Sequence, residues 1–282
     1  MSSRTPRQRR LRQQARQWAR VCIALLITAV FVFPVYWLFM TAFKTPSEIF
    51  SSPPTWIPSS LTWDNFAGMT EGDDLRSIIN SLVIATVSTV VAMVLGSIAA
   101  YSLARHRVGG DGLSIWIMSL RMVPPMAMAF PLFLMFATVG LIDTYPGLIV
   151  LYVAVNLPYV IWVMRGFIED IAPELEQSAL IDGCTRWQAL IHVVFPMARA
   201  GMMATAVFAF VYAFNEFAFA VVMTRSEVIT FPVQITHHFS PMSAFWARIG
   251  AMSILGCLPV FVMVVAMNRY LVRGLSGGAL KG

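Results

Sequence analysis

The sequence predicts an all-α integral membrane protein, with six transmembrane helices and a cytoplasmic helical hairpin between the fourth and fifth. Three observations predict it. Of 282 residues, 58% are hydrophobic and 12% charged, against about 25% charged in soluble domains, and mean hydropathy is +0.71. The apolar residues gather into six runs of the length that crosses roughly 30 Å of hydrocarbon. The basic residues then fall on alternate sides of those runs, as the positive-inside rule requires. Disorder and collagen-like repeats are excluded, because the 17 Gly show no period and apolar content is too high. Cys22, Cys184 and Cys257 show neither CxxC nor Cys/His ligand spacing, which argues against a disulfide framework or a zinc site.

The first run is Trp18 to Phe43, preceded by Arg4, Arg7, Arg9, Arg10, Arg12, Arg16 and Arg20 with no acid among residues 1–20. That basic tail stays cytoplasmic. The uncharged stretch from Val21 to Phe43 is too long for a signal peptide, whose apolar core has about 7 to 15 residues. Arg9-Arg10 lacks the immediate apolar core of a twin-arginine signal. The next segment, to Leu75, sets Lys44 against Glu48, Asp64, Glu71, Asp73 and Asp74 and lies outside. In the second run, Ile78 to Leu103, Gly96, Ala100 and Ala104 recur every four residues and permit close helix approach. Arg105 and Arg107 return to the inside, and Gly109-Gly110-Asp111-Gly112 reads as a tight turn.

The third run, Leu113 to Val139, holds Pro124, Pro125 and Pro131, which permit an irregular helix where it lines a cavity. The remaining runs are Leu148 to Phe167, Met202 to Thr224 and Ala251 to Tyr270, with Arg269, Arg273 and Lys281 inside. The chain therefore reads as one multi-pass domain, residues 21–274, between cytoplasmic tails 1–20 and 275–282. Its net charge of +6 reflects membrane orientation and contact with lipid, not nucleic acid.

Residues 169–201 depart from the charge rule. This inside segment carries Glu169, Asp170, Glu174, Glu176 and Asp182 against Arg186 and Arg199. Pro173 suits a first helical position, and Glu174 and Glu176 complement the positive end of the helix dipole. Leu175, Ala179 and Leu180 form a small apolar face. Asp182-Gly183 ends the helix, because Gly adopts the left-handed cap conformation without a Cβ clash. Thr185-x-x-Gln188 is a capping box that starts a second helix bearing Trp187, Leu190, Ile191 and Val194, which Pro196 is expected to end. Two readings fit: a hairpin lying on the bilayer, or a protein-docking surface.

Charges inside apolar spans mark functional sites by default. Glu216 and Asn215 offer hydrogen bonds to sugar hydroxyls, and Tyr212, Phe214 and Phe217 offer ring faces; holding neighbouring helices together is the equal alternative. Arg121 either attracts an anionic substrate or snorkels. A pairing between Arg121 and Glu216 requires adjacent helices. His237-His238 has no further ligand nearby in sequence and reads as a surface pair rather than a metal site. No Ser/His/Asp set or carboxylate pair suggests catalysis, and no G-x-x-x-x-G-K-[ST] loop is present to bind nucleotide.

Glu174-Leu175-Glu176-Gln177-Ser178-Ala179-Leu180-Ile181-Asp182-Gly183, followed by Val193-Val194-Phe195-Pro196, resembles the EAA loop of ABC importer permeases. That loop reads E-A-A-x-x-D-G, then about nine residues to I-x-L-P. Ala179, Asp182, Gly183 and Pro196 agree with it, whereas Gln177 and Ser178 stand in place of its Glu and Ala. The likeness extends over nearly the whole chain and is nearest the maltose-type subunits of carbohydrate-uptake permeases. It includes Trp63-Asp64-Asn65-Phe66, Ala99 to Arg105, Met122-Val123-Pro124-Pro125, Gly140 to Thr144, Leu157-Pro158, Phe214-Asn215-Glu216-Phe217 and the terminal Gly278 to Gly282.

The resemblance implies half of a carbohydrate pathway in the bacterial inner membrane, with both termini cytoplasmic. It implies a second permease subunit, two ATPase subunits that bind ATP and Mg, and an external solute-binding protein; this chain itself would hold no cofactor. Glu174, Glu176, Gln177, Ser178, Ala179, Leu180, Asp182, Gly183 and Pro196 would couple to the ATPase, and Tyr212, Phe214, Asn215, Glu216 and Phe217 would line the pathway. Open alternatives are an ion-coupled secondary transporter, an importer of glycerol phosphate, and a membrane-embedded enzyme.

Overall fold

A computed structural model of the chain describes residues 6–67, 69, 72–238 and 245–279. The described elements are helices: α1 (Pro6–Ala42), α2 (Pro46–Ile49), α3 (Gly72–His106), α4 (Gly110–Ser119), α5 (Pro125–Thr138), α6 (Tyr145–Glu169), α7 (Pro173–Ile181), α8 (Arg186–Ala189), α9 (Phe195–Phe214), α10 (Ala220–Met223), α11 (Phe231–His237) and α12 (Phe245–Ala279). They fall into two compact units, Met1–Ala67 with Phe239–Ile254, and Gly68–His238 with Leu255–Gly282.

Among the described residues, five helices are long and apolar enough to cross a bilayer: Arg16–Ala42, Gly72–His106, Tyr145–Glu169, Arg186–Phe214 and Trp246–Asn268. The expected third span, Leu113 to Val139, is not one helix. α4 ends at Ser119, Leu120–Met122 form a 3-10 turn, and α5 starts at Pro125 after a bend of 91°. The cause is local, since each proline of Pro124-Pro125 drives the residue before it out of the helical region. Val123 and Pro124 are accordingly extended, with ψ of 125° and 128°.

The fifth span also differs from expectation. The second helix of the hairpin does not stop at Pro196 but continues through a π turn, Leu190–Val194, into α9. The N–H of Phe195 reaches five residues back to Leu190 O. This widened turn makes room for the Pro196 ring, which a regular helix would press against the preceding turn. At its other end the helix stops at Phe214 instead of running to Thr224, so Asn215 and Glu216 lie in a break before α10.

In the first unit, the C-terminal end of α1 is closed by the segment after it. Asn65 Nδ2 donates to both Ala42 O and Lys44 O, each at 2.9 Å. Lys44 is 2% exposed, donates from Nζ to Thr55 O at 2.5 Å and lies 4.2 Å over the Trp37 ring. Phe43 packs against Trp63 and Phe66. The stretch Trp63 to Phe66 is therefore the clasp of this loop.

The second unit is centred on α3, α6 and α9; its buried side chains include Ala100, Tyr101, Val160, Met164, Ile168 and Ala198 on these helices and Leu190 and Val194 in the π turn. A Cβ on Gly96 would stand 2.6 Å from Val160 Cγ1, so that glycine permits the close approach of α3 to α6. The turn before α6 is tied to a distant strip of chain. Both Asp143 carboxylate oxygens accept backbone N–H groups, from Arg225 (3.0 Å), Ser226 (3.0 Å), Glu227 (2.9 Å) and Val228 (3.1 Å). Burial pushes this carboxyl up, but the four amides outweigh it and leave its pKa at about 2.

Candidate coupling hairpin and pathway residues

Residues 170–196 form the expected helix, turn and helix. α7 starts at Pro173 with Glu174 and Glu176 in its first turn. It closes through Gly183, whose φ of +92° needs a residue without a Cβ, and through Cys184 N–H to Ala179 O at 3.0 Å. The capping box is formed in both directions, Gln188 N to Thr185 Oγ1 at 3.3 Å and Thr185 N to Gln188 Oε1 at 2.7 Å.

The apolar residues of the hairpin divide between two faces. Leu190 and Val194 are buried in the core, while Leu175, Leu180, Ile191, Trp187 (60% exposed) and Ile181 (86%) stand outward. Glu174, Gln177, Ser178, Asp182, Gly183 and Pro196 are exposed and Ala179 is half-buried.

Glu176 faces the other way and is 7% exposed. Its Oε2 meets Arg105 Nε at 2.9 Å, and its Oε1 accepts from the Tyr101 hydroxyl. Arg105 also donates from NH2 to Ile171 O at 2.8 Å. Sequence reasoning treated Arg105 as an orientation marker only. Tyr101 and Arg105 are four apart on one helix face, a visible signal, but their partner lies 71 residues away. The pair is buried on both sides, so removing one member would strand the other charge away from water.

The residues nominated for the pathway separate into exposed and inward-turned groups. Phe214 is buried, stacked with Phe210 and packed on Phe231. The Glu216 carboxylate accepts the amides of Phe219 (3.1 Å) and Ala220 (3.2 Å), while Tyr152 donates its hydroxyl to Glu216 O at 3.3 Å. It therefore builds the turn between α9 and α10, and pairs with amides rather than with Arg121. Asn215 and Phe217 are exposed. Tyr212 lies on one side of the Arg121 guanidinium, 4.7 Å from its ring centre, and Tyr159 lies 5.0 Å away. Tyr159 was not anticipated. Arg121 NH1 and Asn156 Oδ1 are buried polar atoms without a hydrogen-bond partner among the described residues.

His238 is not the surface residue expected. Its Nε2 lies 2.8 Å from Asp74 Oδ1, which also accepts from Gln234 Nε2 at 2.9 Å. The fold supplies the carboxylate from the start of α3, far away in sequence. No cluster of three or more His, Cys, Asp or Glu suited to a metal ion occurs among the described residues.

The family described as binding-protein-dependent transport system inner membrane component matches residues 92–276. The trehalose transport system permease protein SugB of Mycobacterium tuberculosis is 35% identical over 96% of this chain and 99% of that protein. The diacetylchitobiose uptake system permease protein DasC of Streptomyces coelicolor is 33% identical over 95% and 98%. In fold, the chain is similar to a chain of a bacterial ABC transporter that imports the acidic polysaccharide alginate, with a TM-score of 0.75 at 17% identity over 96% of this chain and 99% of that one. The chain thus belongs to the binding-protein-dependent inner membrane components and is a permease subunit of an ATP-binding-cassette importer.

Proposed function

We propose that this permease carries a carbohydrate across the bacterial inner membrane, as half of a pathway completed by a second permease subunit. An external solute-binding protein delivers the solute, and two cytoplasmic ATPase subunits bind ATP and Mg. The observation that carries the substrate class is the full-length likeness to permeases named for trehalose and diacetylchitobiose. The hairpin is the ATPase contact: Leu175, Leu180, Ile181 and Trp187 present an apolar surface on the side the charge pattern makes cytoplasmic. Tyr212, Asn215 and Phe217 line the pathway with Arg121, and Glu216 and Phe214 hold the turn that presents them.

The test is uptake in proteoliposomes containing both permeases and the ATPases, driven by ATP and supplied by the cognate binding protein with labelled trehalose, chitobiose or glycerol 3-phosphate. Uptake of a sugar is expected. Accumulation driven by an ion gradient without ATP would instead establish a secondary transporter.

A further inference from the structure

We propose that α3 is the strut through which displacement of the coupling hairpin reaches the segment Arg225–His238, and that Arg105 and Tyr101 are the positioning residues attaching it to the hairpin. The proposal rests on the permease reading above. α3 is one unbroken helix of 35 residues, about 50 Å long at 1.5 Å per residue, with a named attachment at each end.

At the inner end, Arg105 holds two points of the hairpin at once, the Glu176 carboxylate and the Ile171 carbonyl. Tyr101, one turn further along, holds the other carboxylate oxygen. Glu176 is the side chain that α7 buries, so the hairpin presents its apolar residues outward and grips α3 with a carboxylate. At the outer end, Asp74 accepts from Gln234 and meets His238, Asn80 Nδ2 donates to Ile229 O at 2.9 Å, and Ser81 Oγ accepts from Phe231 N at 2.8 Å. Between the two ends α3 is packed on α6 through Gly96 and Ala100. A closely packed helix moves as a unit, so a shift of the hairpin is delivered to the far segment rather than dissipated.

A buried ion pair suits such a link. The two charges are satisfied by each other and by few other groups, so separating them would expose both to an apolar surrounding. The hairpin is bound by this contact to move with α3 instead of sliding across its end.

The experiment uses the full chain assembled with its partner subunits, with Cys22, Cys184 and Cys257 replaced by Ser and a nitroxide on Ser226→Cys. ATP with Mg and vanadate is expected to change the label's spectrum in the otherwise unaltered chain. Arg105→Gln should reduce that change about tenfold, within the usual range of coupling between sites, while assembly and ATP hydrolysis persist. The exchange Arg105→Glu with Glu176→Arg should restore it. An undiminished response in Arg105→Gln would overturn the proposal, and so would failure of the exchanged pair to recover the signal in an assembled complex. A chain that forms no ATP-hydrolysing complex at all would instead refute the permease reading.

Discussion

The Asp143 carboxylate accepts its hydrogen bonds from backbone amides. Because those amides belong to four consecutive residues, Arg225 to Val228, the carboxylate fixes the course of a segment more than 80 positions away. Asp143→Ala should lower stability by about 1–2 kcal/mol, since water reaches some of the freed amides, and thermal unfolding in detergent measures it. The pH dependence has a definite sign. The carboxyl titrates at about 2 instead of 3.8, so its contribution is complete above the higher value and is lost as pH falls through the lower. Asp143→Asn should remove that acid transition. At Glu216, Ala should cost about 1–3 kcal/mol by leaving the amides of Phe219 and Ala220 without an acceptor, whereas Gln keeps one acceptor oxygen. If Gln transports normally and Ala unfolds early, the residue serves the turn; if Gln is stable but its transport falls, the carboxylate meets the solute. Sequence made Glu216 conspicuous because a charge within an apolar run is costly, but gave no sign that its partners are amides three and four positions on.

Elements set by neighbouring residues were the most legible. The start of α7 at Pro173, its end at Gly183 and the capping box at Thr185 and Gln188 each depend on contacts within about one turn, and each formed where its residues are spaced for it. Gly183→Val should cost about 1–2 kcal/mol, because the left-handed region crowds a Cβ. Faster proteolysis at 182–185, together with weaker ATPase assembly, is the measurable result. The prolines of the third run signalled irregularity, but not that it takes the form of a 91° bend at Val123 and Pro124. At Pro196 the local rule failed, since the chain escaped the clash by widening the preceding turn rather than ending the helix. His238 and Asp74, and Arg105 and Glu176, were illegible for a different reason: in each pair the partners meet only once α3 has packed on segments distant in sequence.

For the molecule as a whole, the distribution of basic residues predicts which loops share a compartment, and native cysteines offer a test. Cys184 lies half-buried in the hairpin turn. With Cys22 and Cys257 replaced by Ser, a membrane-impermeant maleimide should label Cys184 in inside-out vesicles and not in right-side-out ones. The reverse pattern would invert the orientation. Along the fifth span, the wide turn sets an angular phase. Leu190–Val194 takes one residue more than a regular turn, so every side chain from Phe195 to Phe214 is rotated by about 100° from where an uninterrupted helix would put it. Deleting one residue there would make the helix regular and leave those faces unchanged, whereas straightening the turn with every residue kept would turn Ala198 and Val207 out of the core and bring the exposed Met197 and Phe208 towards it. In this stretch the wide turn and the residue count compensate each other: a one-codon deletion is absorbed, but closing the turn at unchanged length rewrites an entire interface.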